Sequence, residues 1–196
     1  TKLQLLVSGE ISASGSSTGK TGSPTASTTG VAFNVTVNCV DDFWNKVAGA
    51  NPTVTITTSD LYDTEPGATA LVSGTQTYAV TLRTSGTTTI TAGDTDGVSP
   101  LYTANISPSV TVNVNNATKL QVLVPGESAV PGSSTGKTGT TTAQTTGAVF
   151  TVTVNCTDDY WNKVITANPQ VTITTSDAYD TEPAPIVLTS GTATFS

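Results

Sequence analysis

The chain carries the same sequence twice. Residues 1–79 align with residues 118–196 without a gap, at a constant offset of 117 positions, and 53 of the 79 aligned residues are identical. The segment GSSTGKTG at 15–22 returns at 132–139, and DDFWNKV at 41–47 returns as DDYWNKV at 158–164. A period this long indicates whole domains in tandem, because solenoid repeats are much shorter.

The second copy is shorter than the first. We expect one complete domain at 1–116 and a second at 117–196 that lacks counterparts of residues 80–116, which is about two strands. A sandwich without these strands would expose an apolar cleft and unpaired strand edges. We therefore expect the chain to belong to something longer, with the missing strands supplied by its continuation or by a neighbouring molecule, as in donor-strand assembly.

The residue pattern predicts an all-β fold. Threonine makes up more than one residue in five, and hydroxyl-bearing and β-branched residues favour strands over helices. Apolar residues alternate with polar ones at 2–7, 31–39, 52–58, 76–83, 87–92 and 109–114, whereas 8–29 reads as one long loop. Short strands about ten residues apart predict an antiparallel β-sandwich.

Charge and composition exclude several classes of function. The net charge of −7 and the pI of about 4.2 argue against a nucleic-acid or anionic-membrane partner, and no apolar stretch is long enough to span a membrane. The chain has no histidine, so Ser-His-Asp and Cys-His catalysis are excluded and we expect no enzyme. GSSTGKTG spaces its glycines one residue too closely for a phosphate-binding loop.

Each copy also resembles a known family. Each copy contains, in this order, an alternating apolar strand, an Asp-rich turn ending in Trp-Asn, and the segment VTITTSD. The pattern is clearest over 31–46. This order resembles the bacterial Ig-like (BIG-type) repeats of large secreted and cell-surface proteins. The resemblance implies tandem Ig-like sandwiches in an extracellular stalk, sheath or filament of a prokaryotic cell, with other copies of the protein as partners. The alternative is an adhesin or a carbohydrate-binding module with a glycan ligand.

Acidic residues cluster on two loops of each copy, where they could serve as calcium ligands or as turn formers. Hard oxygen ligands suit Ca²⁺, but Asp also favours turns through local hydrogen bonds. The calcium hypothesis names Asp41, Asp42, Asp60, Asp63 and Glu65 in the first copy, and Asp158, Asp159, Asp177, Asp180 and Glu182 in the second. No other cofactor is expected.

Other repeated residues leave two interpretations each. Trp44 and Trp161 follow the first acidic turn and either stack on a sugar or pack, over the end of the sandwich or against the next domain. Cys39 and Cys156 fall on the apolar face of a strand, which favours buried thiols over a disulfide between domains or chains. The acceptor pattern for N-glycosylation occurs at Asn34, Asn105, Asn116 and Asn155. Period-two alternation predicts that Asn34 and Asn155 face outward.

Overall fold

The structure is a computed structural model that describes residues 1–196, and it consists of strands and loops alone. The all-β class with antiparallel sheets is thereby confirmed. The chain divides into two compact units, Thr1–Asn113 and Val114–Ser196, so the division falls three residues before the expected one. Because the protein contains no helix, it has none that is long and apolar enough to cross a membrane.

The first unit contains twelve strands. They are β1 (Lys2–Leu6), β2 (Glu10–Ser12), β3 (Lys20–Gly22), β4 (Ser27–Thr28), β5 (Phe33–Val40), β6 (Thr53–Thr58), β7 (Thr69–Ala70), β8 (Thr75–Val80), β9 (Gly86–Thr88), β10 (Ile90–Asp94), β11 (Asn105–Ile106) and β12 (Val110–Asn113). The alternating segments at 2–7, 31–39, 52–58, 76–83 and 109–114 all contain a strand at about the expected position.

The strands of the first unit form two main sheets and smaller pieces. One sheet has the order β1-β5-β8, the second has the order β11-β10-β6-β7, and a third small sheet joins β4, β12 and β9. All pairings between these strands are antiparallel except the short β4–β12 contact, and an isolated parallel bridge joins Lys2 to Thr103. Apolar residues from all three sheets share one buried cluster, among them Leu5, Ile56 and Val112, which is the layered packing of a sandwich.

Two segments differ from the expectation. The stretch 8–29, predicted to be a loop, contains the β2–β3 hairpin, which pairs Glu10 with Gly22 and Ser12 with Lys20. The stretch 87–92, predicted to be one strand, is broken at Thr89, because β9 pairs with β12 whereas β10 pairs with β6. The chain therefore changes sheets at this point.

The second unit contains counterparts of β1–β3 and β5–β8, but none of β4. Its strands are β13 (Lys119–Leu123), β14 (Glu127–Ala129), β15 (Lys137–Gly139), β16 (Val152–Thr157), β17 (Gln170–Val171), β18 (Ile186–Val187) and β19 (Thr192–Phe195). The sheet β13-β16-β19 corresponds to β1-β5-β8. Its buried cluster is small and contains Val154, Cys156, Val171, Leu188 and Phe195, because no strands corresponding to β9–β12 are present to complete it.

Candidate functional site

The first acidic turn is held together by its own carboxylate. Asp41 Oδ1 accepts hydrogen bonds from the backbone amides of Phe43 (2.8 Å) and Asn45 (2.9 Å). Its Oδ2 accepts one from the side-chain amide of Asn45 at 3.0 Å. These bonds, led by that of the Asn45 side chain, hold the pKa of the Asp41 carboxyl below its usual value. Asp158 receives the equivalent bonds in the second unit.

The second aspartate of each turn contacts the first residues of its unit. Asp42 Oδ1 lies 3.1 Å from the amino group of Thr1. Asp159 Oδ1 accepts a hydrogen bond of 2.7 Å from the hydroxyl of Thr118, and its backbone carbonyl accepts one from Lys119 Nζ. These acids therefore bind the first strand of their unit to the turn.

The second acidic loop of the first unit centres on Asp60, which is buried. Its Oδ2 accepts hydrogen bonds from the backbone amides of Arg83 (2.7 Å) and Thr84 (2.8 Å), and its Oδ1 accepts from Thr84 Oγ1 (2.7 Å). Asp63 and Glu65 accept instead from the hydroxyl and the amide of Thr58. Burial raises the pKa of the Asp63 carboxyl. The loop thus ties the segment after β8 to the end of β6.

The corresponding loop of the second unit is only half engaged. Asp180 and Glu182 bind Thr175 as Asp63 and Glu65 bind Thr58. Asp177, however, is exposed and accepts a hydrogen bond only from the amide of Tyr179. Asp177 corresponds to Asp60, whose other donors belong to the segment that has no counterpart in this unit.

The structure does not gather these carboxylates into a cation site. Across residues 1–196, no group of three or more Asp, Glu, Cys or His side chains is placed to hold a metal ion. Asp41 and Asp60 direct both of their oxygens at protein donors. The arrangement is that of carboxylates that stabilise turns and loops.

We expect the melting temperature of the full chain to be the same in calcium and in a chelator, because no three of the loop carboxylates converge on one point. Circular dichroism at fixed ionic strength measures this, with magnesium as the control for nonspecific ionic effects. A rise in melting temperature that calcium produces, magnesium does not and the chelator reverses would contradict this expectation.

Each tryptophan packs inside its own unit. The Nζ of Lys2 lies 3.6 Å from the centre of the Trp44 ring, and a cation over an aromatic face is attracted to it. The ring also touches Gly19 so closely that a Cβ there would overlap it. Trp161 has the two equivalent neighbours. Gly136 touches its ring, and Lys119 Nζ lies 4.6 Å from the ring centre. The rings therefore contact both the first strand and the GSSTGKTG loop.

A buried polar network missed by the sequence analysis joins three strands. Gln4 Nε2 donates to the carbonyl of Gly19 (2.6 Å), and its Oε1 accepts from Asn38 Nδ2 (2.9 Å). Asn38 Oδ1 accepts from the hydroxyl of Thr75 (2.7 Å). Gln121, Asn155 and Thr192 repeat the network in the second unit. The sequence signal for this network is a glutamine that both copies place within an apolar first strand, in KLQLL and in KLQVL.

The network corrects one expectation about the glycosylation pattern. Asn155 was predicted to face outward, but its side chain is 8% exposed and bonded on both sides, because both faces of β16 are covered near its end. Asn105 is half-buried, and its Oδ1 accepts from the amide of Leu5. Asn34 and Asn116 are exposed.

A second missed contact explains the lysine of the GSSTGKTG loop. Lys20 Nζ lies 2.8 Å from Glu10 Oε1, and the Glu10 side chain is almost completely buried. Lys137 and Glu127 form the same ion pair at 2.8 Å. The ion pair links β2 to β3 in addition to their backbone pairing.

Both cysteines are buried free thiols, as predicted. Burial raises the pKa of both thiols, which lowers their fraction of thiolate at neutral pH. Cys39 is completely inaccessible, whereas Cys156 is 6% exposed beside a shallow depression that also touches Ala117 and Leu120. The first unit therefore shields its thiol from solvent more completely than the second unit does.

The feature that most distinguishes the two units is an exposed apolar surface on the second. Leu3 and Leu5 are 0% exposed in the first unit, but their counterparts Leu120 and Val122 are 48% and 42% exposed. Val152 and Ile173 are also partly exposed, although their counterparts Val35 and Ile56 are fully buried. We call the surface formed by Leu120, Val122, Val152 and Ile173 the open face.

Comparison with known proteins found no matching family model, no similar curated protein and no similar solved structure.

Proposed function

We propose that the chain is a structural repeat of an extracellular or cell-surface stalk, sheath or filament, built from tandem Ig-like units that other copies of the protein extend. The observation that supports this proposal is that the two copies share the same internal side-chain contacts. The glutamine network, the Lys–Trp contact and the Glu–Lys ion pair occur in both units with the same partners. The repeated side chains thus build each unit from within.

Two exposed positions differ between the copies. Position 11 carries isoleucine and its counterpart at 128 carries serine, and the exposed Leu61 corresponds to Ala178. A binding module used twice needs the same ligand-contacting residues at its surface in both copies. The residues that make the internal contacts are identical in the two copies, whereas the residues at these two exposed positions are not. The alternative of a glycan-binding module has no comparable support, because Lys2 and Gly19 already contact the Trp44 ring.

The proposal is tested by varying the number of copies. Proteins with one, two and three copies of residues 1–117 are compared by small-angle X-ray scattering, and the maximum dimension should increase by a constant amount for each copy. Protease treatment of intact source cells should release peptides of this chain if it lies on the cell surface. Arrays whose dimension stops growing, or peptides released only after lysis, would contradict the proposal.

A further inference from the structure

The first and last segments of the first unit run side by side in the same direction. An isolated parallel bridge joins Lys2 to Thr103, and the amide of Leu3 donates to the carbonyl of Thr103 at 3.0 Å. Two residues further on, the amide of Leu5 donates to Asn105 Oδ1 at 2.9 Å. Each step along β1 is therefore matched by a step in the same sense along its neighbour near the end of the unit.

The same order of contacts continues further along both segments. The carbonyl of Ser8 accepts from the amide of Thr25 at 2.7 Å, so the chain returns beside the residues that follow β1 once the β2–β3 hairpin is complete. From there β4 pairs in parallel with β12, and the amide of Thr29 donates to the carbonyl of Asn113 at 2.9 Å. We call this contact the parallel seam; it joins residues 2–5 and 27–29 to residues 103–105 and 112–113.

The parallel seam is shielded from water. Leu3, Leu5 and Thr29 are 0% exposed, and Val112 is 3% exposed. A water molecule therefore has no access from which to replace a hydrogen-bond partner that is being pulled away. Breaking a bond of the seam leaves a buried donor and a buried acceptor unpaired, which is more costly than breaking a bond at the surface.

The direction of the two segments decides how the seam responds to tension. Because they run in the same order along their length, Thr1 and Asn113 lie at opposite ends of the seam. Tension that separates these two residues pulls the segments in opposite directions along their common axis, so all bonds of the seam are loaded together. An antiparallel pair that is pulled apart at one end breaks its bonds one after another instead.

We propose that the parallel seam is the load-bearing contact of the first unit, which transmits tension between its two ends by shear. The hydrogen bonds from the amides of Leu3, Leu5 and Thr29 carry this load. The inference rests on the proposed structural role, because a stalk or filament of tandem units passes force from each unit to the next. It assigns resistance to that force to a few buried bonds and not to the core as a whole.

The test is single-molecule force spectroscopy of the full chain, with two directions of pull in the same variant, Asp42→Cys. Asp42 is exposed, so a handle can be attached at this position. Handles at Thr1 and Ser196 load the seam in shear. Unfolding of the first unit then adds up to about 40 nm of length, and unfolding of the second adds up to about 30 nm. Handles at Thr1 and residue 42 open the antiparallel β1–β5 pair from its end, where Lys2 faces Val40.

Unfolding the first unit in shear should need about three times the force that opens the β1–β5 pair. The three amide hydrogen bonds of the seam share the load in the first direction, whereas one bond at a time carries it in the second. Equal forces in the two directions would overturn the proposal.

Variants separate the seam from the rest of the unit. Asn105→Ala removes the acceptor for the amide of Leu5 and should lower the force in shear by up to about one third, because the other two bonds remain. Asn105→Asp keeps an acceptor oxygen and should retain the force. Thr55→Val is the matched control, since it removes a side-chain hydrogen bond to Thr95 outside the seam. A loss of force with Thr55→Val as large as with Asn105→Ala would contradict the assignment.

The structural role itself is decided separately by the copy-number arrays. Arrays that lengthen regularly while the two directions of pull need equal force would overturn the load-bearing seam and leave the structural role intact. Arrays that stop lengthening while the two forces still differ threefold would overturn the structural role and leave the seam as a property of the single unit.

Discussion

Asp60→Asn is expected to destabilise the first unit by about 3 kcal/mol, because buried donors that lose a charged acceptor are costly. Asp60 Oδ2 accepts the amides of both Arg83 and Thr84. Asparagine has one acceptor oxygen, so its NH₂ would face either these two amides or the amide of Tyr62, which donates to Oδ1. Denaturant unfolding followed by the fluorescence of Trp44, in a Trp161→Phe background, measures the change.

The second unit supplies the matched control for this substitution. Asp177→Asn should change the stability of its unit by less than about 0.5 kcal/mol, because Asp177 is exposed and accepts one backbone hydrogen bond. Trp161 reports on this unit in a Trp44→Phe background. Equal effects of the two substitutions would show that the bonds to the 83–84 segment contribute nothing to stability.

The same carboxylate should make the first unit sensitive to acid. Burial is the largest influence on the Asp60 pKa and raises it, but the hydrogen bonds from Thr84, Arg83 and Tyr62 together outweigh burial, so the pKa lies below its usual value. A lowered pKa in the folded state stabilises the fold above the pKa of the unfolded state. That stability is lost as the pH falls through the folded pKa. Asp60→Asn should remove this part of the acid dependence.

Gly19→Ala is expected to destabilise the first unit by about 3 kcal/mol. Gly19 has a φ of 78°, where an L-residue costs about 1–2 kcal/mol, and its new Cβ would overlap the indole ring of Trp44. Trp44 cannot easily move, because its own φ is 67° and Lys2 covers the ring. Overpacking of this kind adds about 1–3 kcal/mol. Denaturant unfolding measures the loss.

The control for Gly19→Ala lies four residues earlier in the same loop. Gly15 has a φ of 75°, but a Cβ there would have no neighbour within 4 Å. Gly15→Ala should therefore cost only the backbone strain, about 1 kcal/mol. If the two substitutions cost the same, the overlap of a Cβ at position 19 with the Trp44 ring carries no penalty, and this expectation is wrong.

The parts of the fold that the sequence predicts well are strands whose alternate residues are apolar. Alternation located β1, β5, β6 and β12, because each of them sends every second side chain into the shared core. Alternation failed at β16, where Asn155 lies on the face predicted to be outward and is nevertheless buried in the glutamine network. Local periodicity cannot reveal that a strand end is covered on both sides by distant segments.

Other features depend on contacts between residues far apart in the chain. The β2–β3 hairpin has strands too short to show a period, and the Glu10–Lys20 ion pair joins residues ten positions apart across it. The break at Thr89 separates strands of different sheets without any glycine or proline to mark it. The missing counterparts of residues 80–116 predicted an apolar cleft. Which residues form the open face became clear only from the structure, where Leu3 and Leu5 are buried and their counterparts are exposed.

The glutamine network has a consequence for how this chain reaches its native state. Because Gln4 and Gln121 bond identical partners in their own units, β1 could pair with β16 in place of β5 and still satisfy every amide of the network. Neighbouring copies of similar sequence are therefore prone to exchange strands during refolding. Synthesis from the amino terminus limits that exchange, because the first copy can close before the second has been made.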